Sequence, residues 1–251
     1  MKLAIITGAS KGLGAALAFN LLEKNIGIVS ISRTKNEELE NFAKETSTFF
    51  QHYPCDLSQR DDTLQTMNKV ISEIQQLNPD TLYLVNNAAM VGPVEKVGNI
   101  SPIELEKSLH VNILAPMLIV NLLLPTFALT STELIVVNVS SGAAYRPISG
   151  WSVYGPTKAA LNLFTETASL EQEGVKNPAT FIAFNPGIMD TDMQLEIRSS
   201  HKDSFKDVAK FQEYKEKNVL RTPTLVADKL ASLLDEGKLE TGKTYAINEL
   251  L

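Results

Sequence analysis

Leu3-Ala4-Ile5-Ile6-Thr7-Gly8-Ala9-Ser10-Lys11-Gly12-Leu13-Gly14, close to the amino terminus, joins an apolar run to a glycine-rich turn. Leu3–Thr7 is apolar and β-branched, which predicts a buried parallel strand, and an apolar helix is expected over Ala15–Leu22. Strand, glycine-rich turn and helix in this order favour a phosphate site, because the glycines admit a pyrophosphate and the helix N-terminus offers free N–H groups. A tight turn without a ligand is the alternative.

Strands and helices continue to alternate along the chain. Further strands are predicted over Gly27–Ser32, Phe49–Tyr53, Thr81–Asn86, Leu134–Val139, Thr180–Asn185 and Thr244–Ile247. Helices are predicted over Glu37–Lys44, Thr63–Gln76, Ile103–Phe127 and Thr224–Leu234, with another that contains Tyr154. This alternation predicts an α/β fold, in which residues 1–251 form a single Rossmann-type domain: a doubly wound parallel sheet with helices on both faces.

Several candidate residues directly follow predicted strands. They are Gly8, Arg33, Asp56, Asn86, Ser141 and Gly187. Because the carboxyl ends of parallel strands open into one crevice, we expect these residues to converge there.

The residue after the second strand bears on the cofactor. An enzyme that binds NAD carries an acid about twenty residues beyond the glycine-rich turn, where it holds the ribose hydroxyls. This chain has Arg33 there, and Lys11 lies inside the turn. Both cations suit a 2′-phosphate, so the sequence predicts NADP(H). The alternative is that both are solvated surface charges.

Composition excludes several classes of protein. The 251 residues carry a net charge of −6, which argues against a general nucleic-acid binder. Cys55 is the single cysteine, so no intramolecular disulfide forms and a reducing compartment is expected. No signal peptide is visible and the most apolar run, Ile113–Leu124, is interrupted by Pro116 and Asn121. We therefore expect a cytoplasmic protein without a membrane span, and no metal ion.

Tyr154 and Lys158 form the candidate catalytic pair, in the sequence Gly150-Trp151-Ser152-Val153-Tyr154-Gly155-Pro156-Thr157-Lys158. Residues four apart share one face of a helix. An ammonium ~4 Å from the phenol, at an effective dielectric constant of ~20, would lower the tyrosine pKa from about 10 towards about 7. Such a phenol can act as a general acid or base. A surface Tyr-Lys pair is the alternative.

The segment 192–218 differs from the rest in being rich in Lys, Glu, Asp, Gln and Ser, with apolar residues interspersed. This pattern predicts two amphipathic helices. A mobile lid over the crevice is one interpretation, and a solvated surface hairpin is the other.

Taken together, the motifs resemble the short-chain dehydrogenase/reductase family over nearly the whole chain. They are TGASKGLG, Asp56-Leu57, NNAA, Asn112, Ser141, Tyr154 with Lys158, and Pro186-Gly187 with Thr191. Within the family, Gly150-Trp151 and the run Pro186 to Gln194 resemble the sepiapterin reductase branch, which includes bacterial members described as benzil reductases.

The resemblance implies roles for individual residues. Tyr154 is the proton donor, Ser141 binds the carbonyl oxygen, Lys158 lowers the phenol pKa and holds a ribose, and Asn112 holds a relay water. The implied cofactor-binding set is Gly8, Ser10, Lys11, Gly12, Leu13, Gly14, Arg33, Asp56, Leu57, Asn86, Ala88, Tyr154, Lys158, Pro186, Gly187, Ile188 and Thr191. The expected substrate residues are Ser141, Trp151, Tyr154, Met189 and Met193. Packing at the base of the helix is an equal alternative for Trp151.

The resemblance implies an NADPH-dependent carbonyl reductase acting on an aromatic 1,2-diketone or α-hydroxy-ketone. Sepiapterin reduction is the alternative, but the aspartate that holds the pterin in those enzymes corresponds to Ala246 here, with Glu249 the nearest carboxylate. Two further alternatives are a non-catalytic NADP-sensing protein on the same fold and an oxidising dehydrogenase that uses NAD. Surplus apolar surface on the helices around Asn112 and Tyr154 predicts a homodimer, with no other macromolecular partner.

Overall fold

Seven parallel strands form one sheet at the centre of the molecule. The computed structural model describes residues 1–251 without a gap, and its strands are β1 (Lys2–Thr7), β2 (Gly27–Ser32), β3 (Phe50–Pro54), β4 (Thr81–Asn86), β5 (Glu133–Val139), β6 (Thr180–Asn185) and β7 (Thr244–Ala246). Their order across the sheet is β3-β2-β1-β4-β5-β6-β7, and every neighbouring pair is parallel. The predicted doubly wound parallel sheet is confirmed.

Helices cover both faces of the sheet. They are α1 (Gly12–Glu23), α2 (Glu37–Glu45), α3 (Arg60–Leu77), α4 (Pro102–Leu109), α5 (Ala115–Phe127), α6 (Tyr154–Leu170), α7 (Asp192–Arg198), α8 (Val208–Glu216) and α9 (Pro223–Glu236). One core layer lies between the sheet and the helices α1, α2 and α9, and the other lies between the sheet and the helices α3, α5 and α6.

Strand β1 shows why the central strands have an unbroken apolar sequence. Ala4 and Ile6 face the layer under α1 and α9, whereas Leu3 and Ile5 face the layer under α3 and α5. Because successive side chains of a strand point to opposite faces, a sheet covered on both sides needs apolar residues at every position. All four side chains are completely buried.

The predicted helix Ile103–Phe127 is continuous but contains a π-helical turn, His110–Leu114, between α4 and α5. Asn112 lies at the centre of this turn. By length and composition the whole helix, Pro102–Phe127, is apolar enough to cross a membrane, with a mean hydropathy of 1.7. Its buried residues, among them Ile119 and Leu123, belong to the core layer beneath the sheet, so it is a core helix of this fold.

The loops after β1 and β4 are fastened to each other at the carboxyl edge of the sheet. The hydroxyl of Thr7 accepts hydrogen bonds from the backbone N–H groups of Asn87 and Ala88, at 3.0 Å each. The side-chain amide of Asn87 donates in return to the carbonyl oxygen of Thr7, at 2.9 Å. Strands β1 and β4 flank the point where the strand order reverses, which is where α/β sheets of this kind open a crevice.

Candidate active site

The glycine-rich turn is shaped to admit an anion at the start of α1. Gly8 and Gly12 have φ values of +71° and +60°, which side-chain-bearing residues rarely adopt. A methyl group on Gly14 would collide with the carbonyl oxygen of Gly8. Helix α1 has no side-chain cap and no acidic residue in its first turn, so its N–H groups are open to a phosphate group.

Two cations border this turn, as the sequence predicts. Arg33 is exposed at the end of β2, close to the carboxylate of Asp56. Burial disfavours the ionised form of Asp56, but hydrogen bonds from Ser58 and the charge of Arg33 outweigh it and lower the pKa of this carboxyl. Lys11 Nζ lies 2.5 Å from a carboxylate oxygen of Asp192, the first residue of α7.

Two residues of the predicted cofactor set direct their side chains into the protein interior. Asn86 is 2% exposed and donates its amide to the side-chain oxygen of Asn138, at 2.8 Å. Leu57 is buried in the core layer that contains α3. Because these two side chains face the core, contact with the cofactor falls to their backbone, and their place in the cofactor-binding set stays a prediction.

The turn after β6 crosses over the glycine-rich turn. The position that a side chain would take at Gly12 is 3.8 Å from the methyl carbon of Thr191. The hydroxyl of Thr191 caps α7 by accepting the N–H of Gln194, at 3.4 Å. The carbonyl oxygen of Ile188 accepts the N–H of Arg221, at 3.1 Å. The Pro186–Thr191 turn therefore borders the same crevice as Gly8 to Gly14.

Tyr154, Ser141 and Lys158 come together between the carboxyl end of β5 and the first turn of α6. Burial raises the pKa of Tyr154, and a hydrogen bond with Ser141 opposes this rise. The ammonium of Lys158 donates to the carbonyl oxygen of Val139 at 2.8 Å, and burial lowers its pKa to about 8. The predicted fall in the tyrosine pKa towards 7 is therefore wrong for this structure, because burial dominates and Lys158 is directed at the backbone.

Ser141, rather than Ser140, adjoins the phenol. The hydroxyl of Ser141 accepts the N–H of Ala143 at 3.2 Å, which fixes its orientation at the start of a short 3₁₀ turn. The hydroxyl of Ser140 is buried, has no hydrogen-bond partner and takes no part in the interaction with Tyr154. Ser141 is therefore the serine beside the phenol, and the role at the carbonyl oxygen that the resemblance implies for it stays a prediction.

Asn112 ties the π-helical turn to its neighbours. Its side-chain oxygen accepts the N–H of Met90, and its amide donates to the carbonyl oxygen of Met90, both at 2.8 Å. The amide also lies 3.2 Å from the hydroxyl of Thr157, which precedes Lys158. These contacts position the loop after β4 against α6. The water-holding role implied by the resemblance stays a prediction.

A group of four aromatic side chains, Trp151, Tyr154, Phe205 and Phe211, forms what we call the aromatic cluster. Trp151 stacks on Phe205 with ring centres 5.2 Å apart and planes inclined by 20°. It meets Tyr154 edge-on at 5.3 Å and Phe211 at 5.5 Å. Trp151 therefore adjoins Tyr154, and the choice between its two predicted roles, substrate contact and packing at the base of the helix, stays open.

The two methionines predicted to contact the substrate separate in the structure. Met193 packs against the aromatic cluster, and its sulfur lies 3.9 Å from the hydroxyl of Tyr154. Met189 packs instead against the core layer under α1 and α9. Met189 therefore lies apart from the aromatic cluster, and its contact with a substrate stays a prediction.

Residues 192–218, which we call the lid segment, cover Tyr154 with two helices, α7 and α8. Phe205 is completely buried and Phe211 is 6% exposed, so this is not a solvated surface hairpin. Gly150, with a φ of +92°, admits the segment closely, since a side chain there would collide with the backbone of Ser204. Asp190 anchors the base of the segment through Lys215 Nζ, at 2.5 Å. The mobility of the lid segment stays a prediction.

Some functional residues were missed by reasoning from the sequence. Thr7 and Asn87 join the two loops of the crevice, and both stand inside the motifs TGASKGLG and NNAA. Phe205 and Phe211 complete the aromatic cluster. The apolar residues interspersed in the lid segment indicated that Phe205 and Phe211 would be buried. The sequence pattern could not show that they pack against Trp151 and Tyr154.

Comparison with known proteins agrees with this geometry. The family model described as short chain dehydrogenase matches residues 2–202. A benzil reductase of Bacillus subtilis (strain 168), described as forming (S)-benzoin, is 41% identical to this chain, and the match covers 100% of both chains. A sepiapterin reductase of Bos taurus is 30% identical, with 96% of this chain and 92% of the relative covered.

The fold is also similar to that of solved structures. A crystal structure of a short-chain dehydrogenase/reductase from Saccharomyces cerevisiae superposes with a TM-score of 0.83 at 27% identity. The superposition covers 99% of this chain and 96% of the yeast protein. The parallel sheet and its helical layers therefore match those of the yeast protein over almost the whole length of both chains.

Proposed function

Because the chain belongs to the short-chain dehydrogenase/reductase family and is an oxidoreductase that reduces carbonyl groups, we propose that it uses NADPH to reduce aromatic 1,2-diketones to hydroxy-ketones. The observation that carries this proposal is the position of the Tyr154 phenol, which lies beside the hydroxyl of Ser141 while its ring packs within the aromatic cluster. A proton donor and a site for an aromatic ring are thus adjacent.

The residues around the glycine-rich turn fit a dinucleotide phosphate. The open N–H groups of α1 suit the pyrophosphate, and Gly14 lets α1 approach the carbonyl oxygen of Gly8, with which a side chain would collide. Arg33 and Lys11 suit a 2′-phosphate, and no acid stands at the end of β2 to bind a free 2′-hydroxyl. When bound, the reduced nicotinamide supplies a hydride to the carbonyl carbon.

The chain itself supplies the proton and fixes the carbonyl oxygen. Tyr154 donates its phenolic proton to that oxygen, and Ser141 donates a hydrogen bond to the same atom as negative charge develops there. The carbon thus gains a hydride, the oxygen gains a proton, and the cofactor is oxidised. Because burial raises its pKa, Tyr154 remains protonated at neutral pH, which suits the direction of reduction. Lys158 provides a positive charge behind the phenol, with its ring centre 5.9 Å from Nζ.

The environment of the site favours a plain aryl ring over a pterin. Pterin N–H groups require acceptors, and leaving them unpaired costs about 1–3 kcal/mol. No aspartate or glutamate is buried in this protein. Glu249, the carboxylate nearest to the expected pterin-binding position, is exposed beyond β7. The name of the Bacillus subtilis relative supports the same substrate class.

Sepiapterin is the second candidate substrate, and one carboxylate favours it. A side chain built on Gly92, in the loop after β4, would lie 3.1 Å from Glu196 Oε1. Glu196 is exposed as a residue, but partial desolvation of its carboxyl raises its pKa, while the charge of Lys11 opposes that rise. Glu196 is therefore an acid at the border of the crevice that a pterin could engage.

The direct experiment measures NADPH consumption by the purified protein with benzil, and identifies the product by chromatography on a chiral column. We expect benzoin, with the S configuration that the name of the Bacillus subtilis relative states. A Tyr154→Phe variant is the control for the proton donor. Benzil left unreduced by the unmodified protein would exclude the proposed substrate class.

We also propose that the protein is a homodimer and acts in the cytoplasm. An apolar stripe remains at least partly exposed on α5, α6 and the turn before α5, formed by Ile113, Leu114, Met117, Leu118, Leu163 and Phe164. Val120 and Leu161, on the same two helices, are buried and do not belong to this stripe. A second copy of the chain is the occupant that the family commonly provides. The one cysteine, Cys55, is a buried free thiol, which fits a reducing compartment.

A further inference from the structure

Trp151 carries a buried hydrogen-bond donor that the protein does not use. Its side chain is 6% exposed, and the indole Nε1 has no hydrogen-bond partner. Buried indole N–H groups usually find a partner, because an unpaired donor loses its hydrogen bonds to water without compensation. An unpaired donor beside a catalytic residue therefore calls for a functional explanation.

The surroundings of this donor are almost entirely apolar. The side chains in the same buried group are Val91, Ala143, Tyr154, Ile197, Phe205, Val208 and Phe211, with Met193 packed against them. Tyr154 is the one fully buried neighbour in that group with a polar side-chain atom, and that atom is assigned to the reacting carbonyl oxygen. The indole N–H is thus a spare donor within the group of buried side chains that contains Tyr154.

The orientation of the indole ring is fixed on several sides. Phe205 stacks on one face at 5.2 Å, and Phe211 and Tyr154 meet it at steep angles, at 5.5 and 5.3 Å. The backbone N–H of Trp151 also bonds to the carbonyl oxygen of Ile148, at 3.1 Å. A donor held this firmly loses little entropy when it forms a hydrogen bond, so it is suited to select between ligands.

We propose that Trp151 is a specificity-determining residue, whose indole N–H donates to the second oxygen of the 1,2-diketone. This inference rests on the proposed function. In such a substrate the two oxygens stand on adjacent carbons, so the group that binds the second oxygen must adjoin Tyr154, as Trp151 does by packing edge-on against its ring. Tyr154 and Ser141 bind the oxygen of the carbonyl that is reduced, and Trp151 binds the oxygen of the adjacent carbonyl. A monoketone has no group to satisfy the indole, so the site favours the diketone.

The test compares benzil with deoxybenzoin, which has the same two phenyl rings and lacks the second carbonyl oxygen. Trp151→Phe keeps an aromatic ring, removes the N–H donor and shortens the side chain by part of the indole, so its effect on packing is controlled separately. We expect the ratio of kcat/KM for benzil to kcat/KM for deoxybenzoin to fall at least about tenfold in this variant, since one hydrogen bond is lost. An unchanged ratio would overturn the proposal.

Two controls separate this role from packing. Phe205→Leu disturbs the same cluster without touching a donor, so it should lower kcat/KM for both substrates and leave their ratio within about twofold of the unmodified protein. The midpoint of urea denaturation checks that each variant folds. If Phe205→Leu changed the ratio as much as Trp151→Phe, packing would explain the selectivity and the proposal would fail. Failure of the unmodified protein to reduce benzil would exclude the proposed function as well, whereas reduction with an unaltered ratio excludes only the role of Trp151.

Discussion

The ammonium of Lys158 lies 5.9 Å from the centre of the Tyr154 ring and donates its hydrogen bond to the backbone carbonyl of Val139, not to the phenol. Burial raises the pKa of Tyr154 and lowers that of Lys158 to about 8. A phenol with a raised pKa stays protonated at neutral pH, which fits the proposed role of Tyr154 as a proton donor. A reductase requires a donor at this position, whereas oxidation of an alcohol requires the phenolate.

The buried ammonium makes stability depend on pH in a direction that can be worked out. Its pKa is about 8 in the folded protein and 10.5 when unperturbed, so the unfolded chain holds this proton more tightly. Stability should therefore rise with pH between about 8 and 10.5. We compare the free energies of unfolding of the unmodified protein and of Lys158→Met. Between pH 7 and pH 10.5 the difference should shift by about 3 kcal/mol in favour of the unmodified protein, at ~1.4 kcal/mol per pKa unit. Urea denaturation of both proteins at the two pH values measures this. A constant difference between them would show that Lys158 titrates normally.

The second prediction concerns the catalytic hydroxyls. Tyr154→Phe retains the ring and removes the proton donor, so we expect normal NADPH binding and almost complete loss of turnover. Ser141→Ala should lower kcat at least about 10²-fold, because a donor to the developing negative charge is lost. Ser140→Ala is the matched control, since the hydroxyl of Ser140 has no partner in the structure, and its effect should be far smaller. If kcat fell further in Ser140→Ala than in Ser141→Ala, the serine that binds the carbonyl oxygen would be Ser140.

The third prediction concerns the choice between NADPH and NADH. Charged hydrogen bonds are worth about 1.5–3 kcal/mol, so Arg33 and Lys11 should favour NADPH by at least about tenfold in kcat/KM. Arg33→Asp should narrow or invert this ratio. Lys24→Asp makes the same change of charge at the other end of α1 and should leave the ratio as it is. Equal use of both cofactors by the unmodified protein would contradict the assignment.

The fourth prediction concerns assembly. Leu163 on α6 is 65% exposed and lies in the apolar stripe, whereas Leu129 is 95% exposed beyond the end of α5. Light scattering at micromolar concentration should give the mass of a dimer for the unmodified protein. Leu163→Glu should shift it towards the monomer, because a charge would be buried at the interface, and Leu129→Glu should not. A monomeric mass for the unmodified protein would rule out the proposed interface.

Much of the fold followed from local sequence patterns. The strands were predictable because a parallel sheet covered on both faces needs unbroken apolar runs such as Leu3–Thr7, and glycines marked the turns. The π-helical turn at Asn112 was not predictable. It adds a residue to one turn without changing the apolar composition, and what stabilises it is a distant contact with Met90.

The site was predictable where chemistry depends on residue type and spacing, as it does for Ser141, Tyr154 and Lys158. The site was less predictable where a residue's role depends on the direction in which its side chain points. Asn86 and Met189 stand in the expected motifs, but the sequence does not show where their side chains point. Asn86 bonds to Asn138 within the sheet, and Met189 packs on the core layer under α1 and α9. The pKa of Tyr154 also depends on burial beneath the lid segment, which arises from contacts between distant parts of the chain.

The most direct test of the proposed substrate class is the ratio of kcat/KM for benzil to kcat/KM for sepiapterin, measured with NADPH under one set of conditions. The aromatic cluster offers apolar contacts to a phenyl ring, and no buried carboxylate is present to pair with a pterin. We therefore predict that benzil is reduced more efficiently than sepiapterin. A clear preference for sepiapterin would contradict the account, and would point to Glu196 or Glu249 as the acid that binds the pterin.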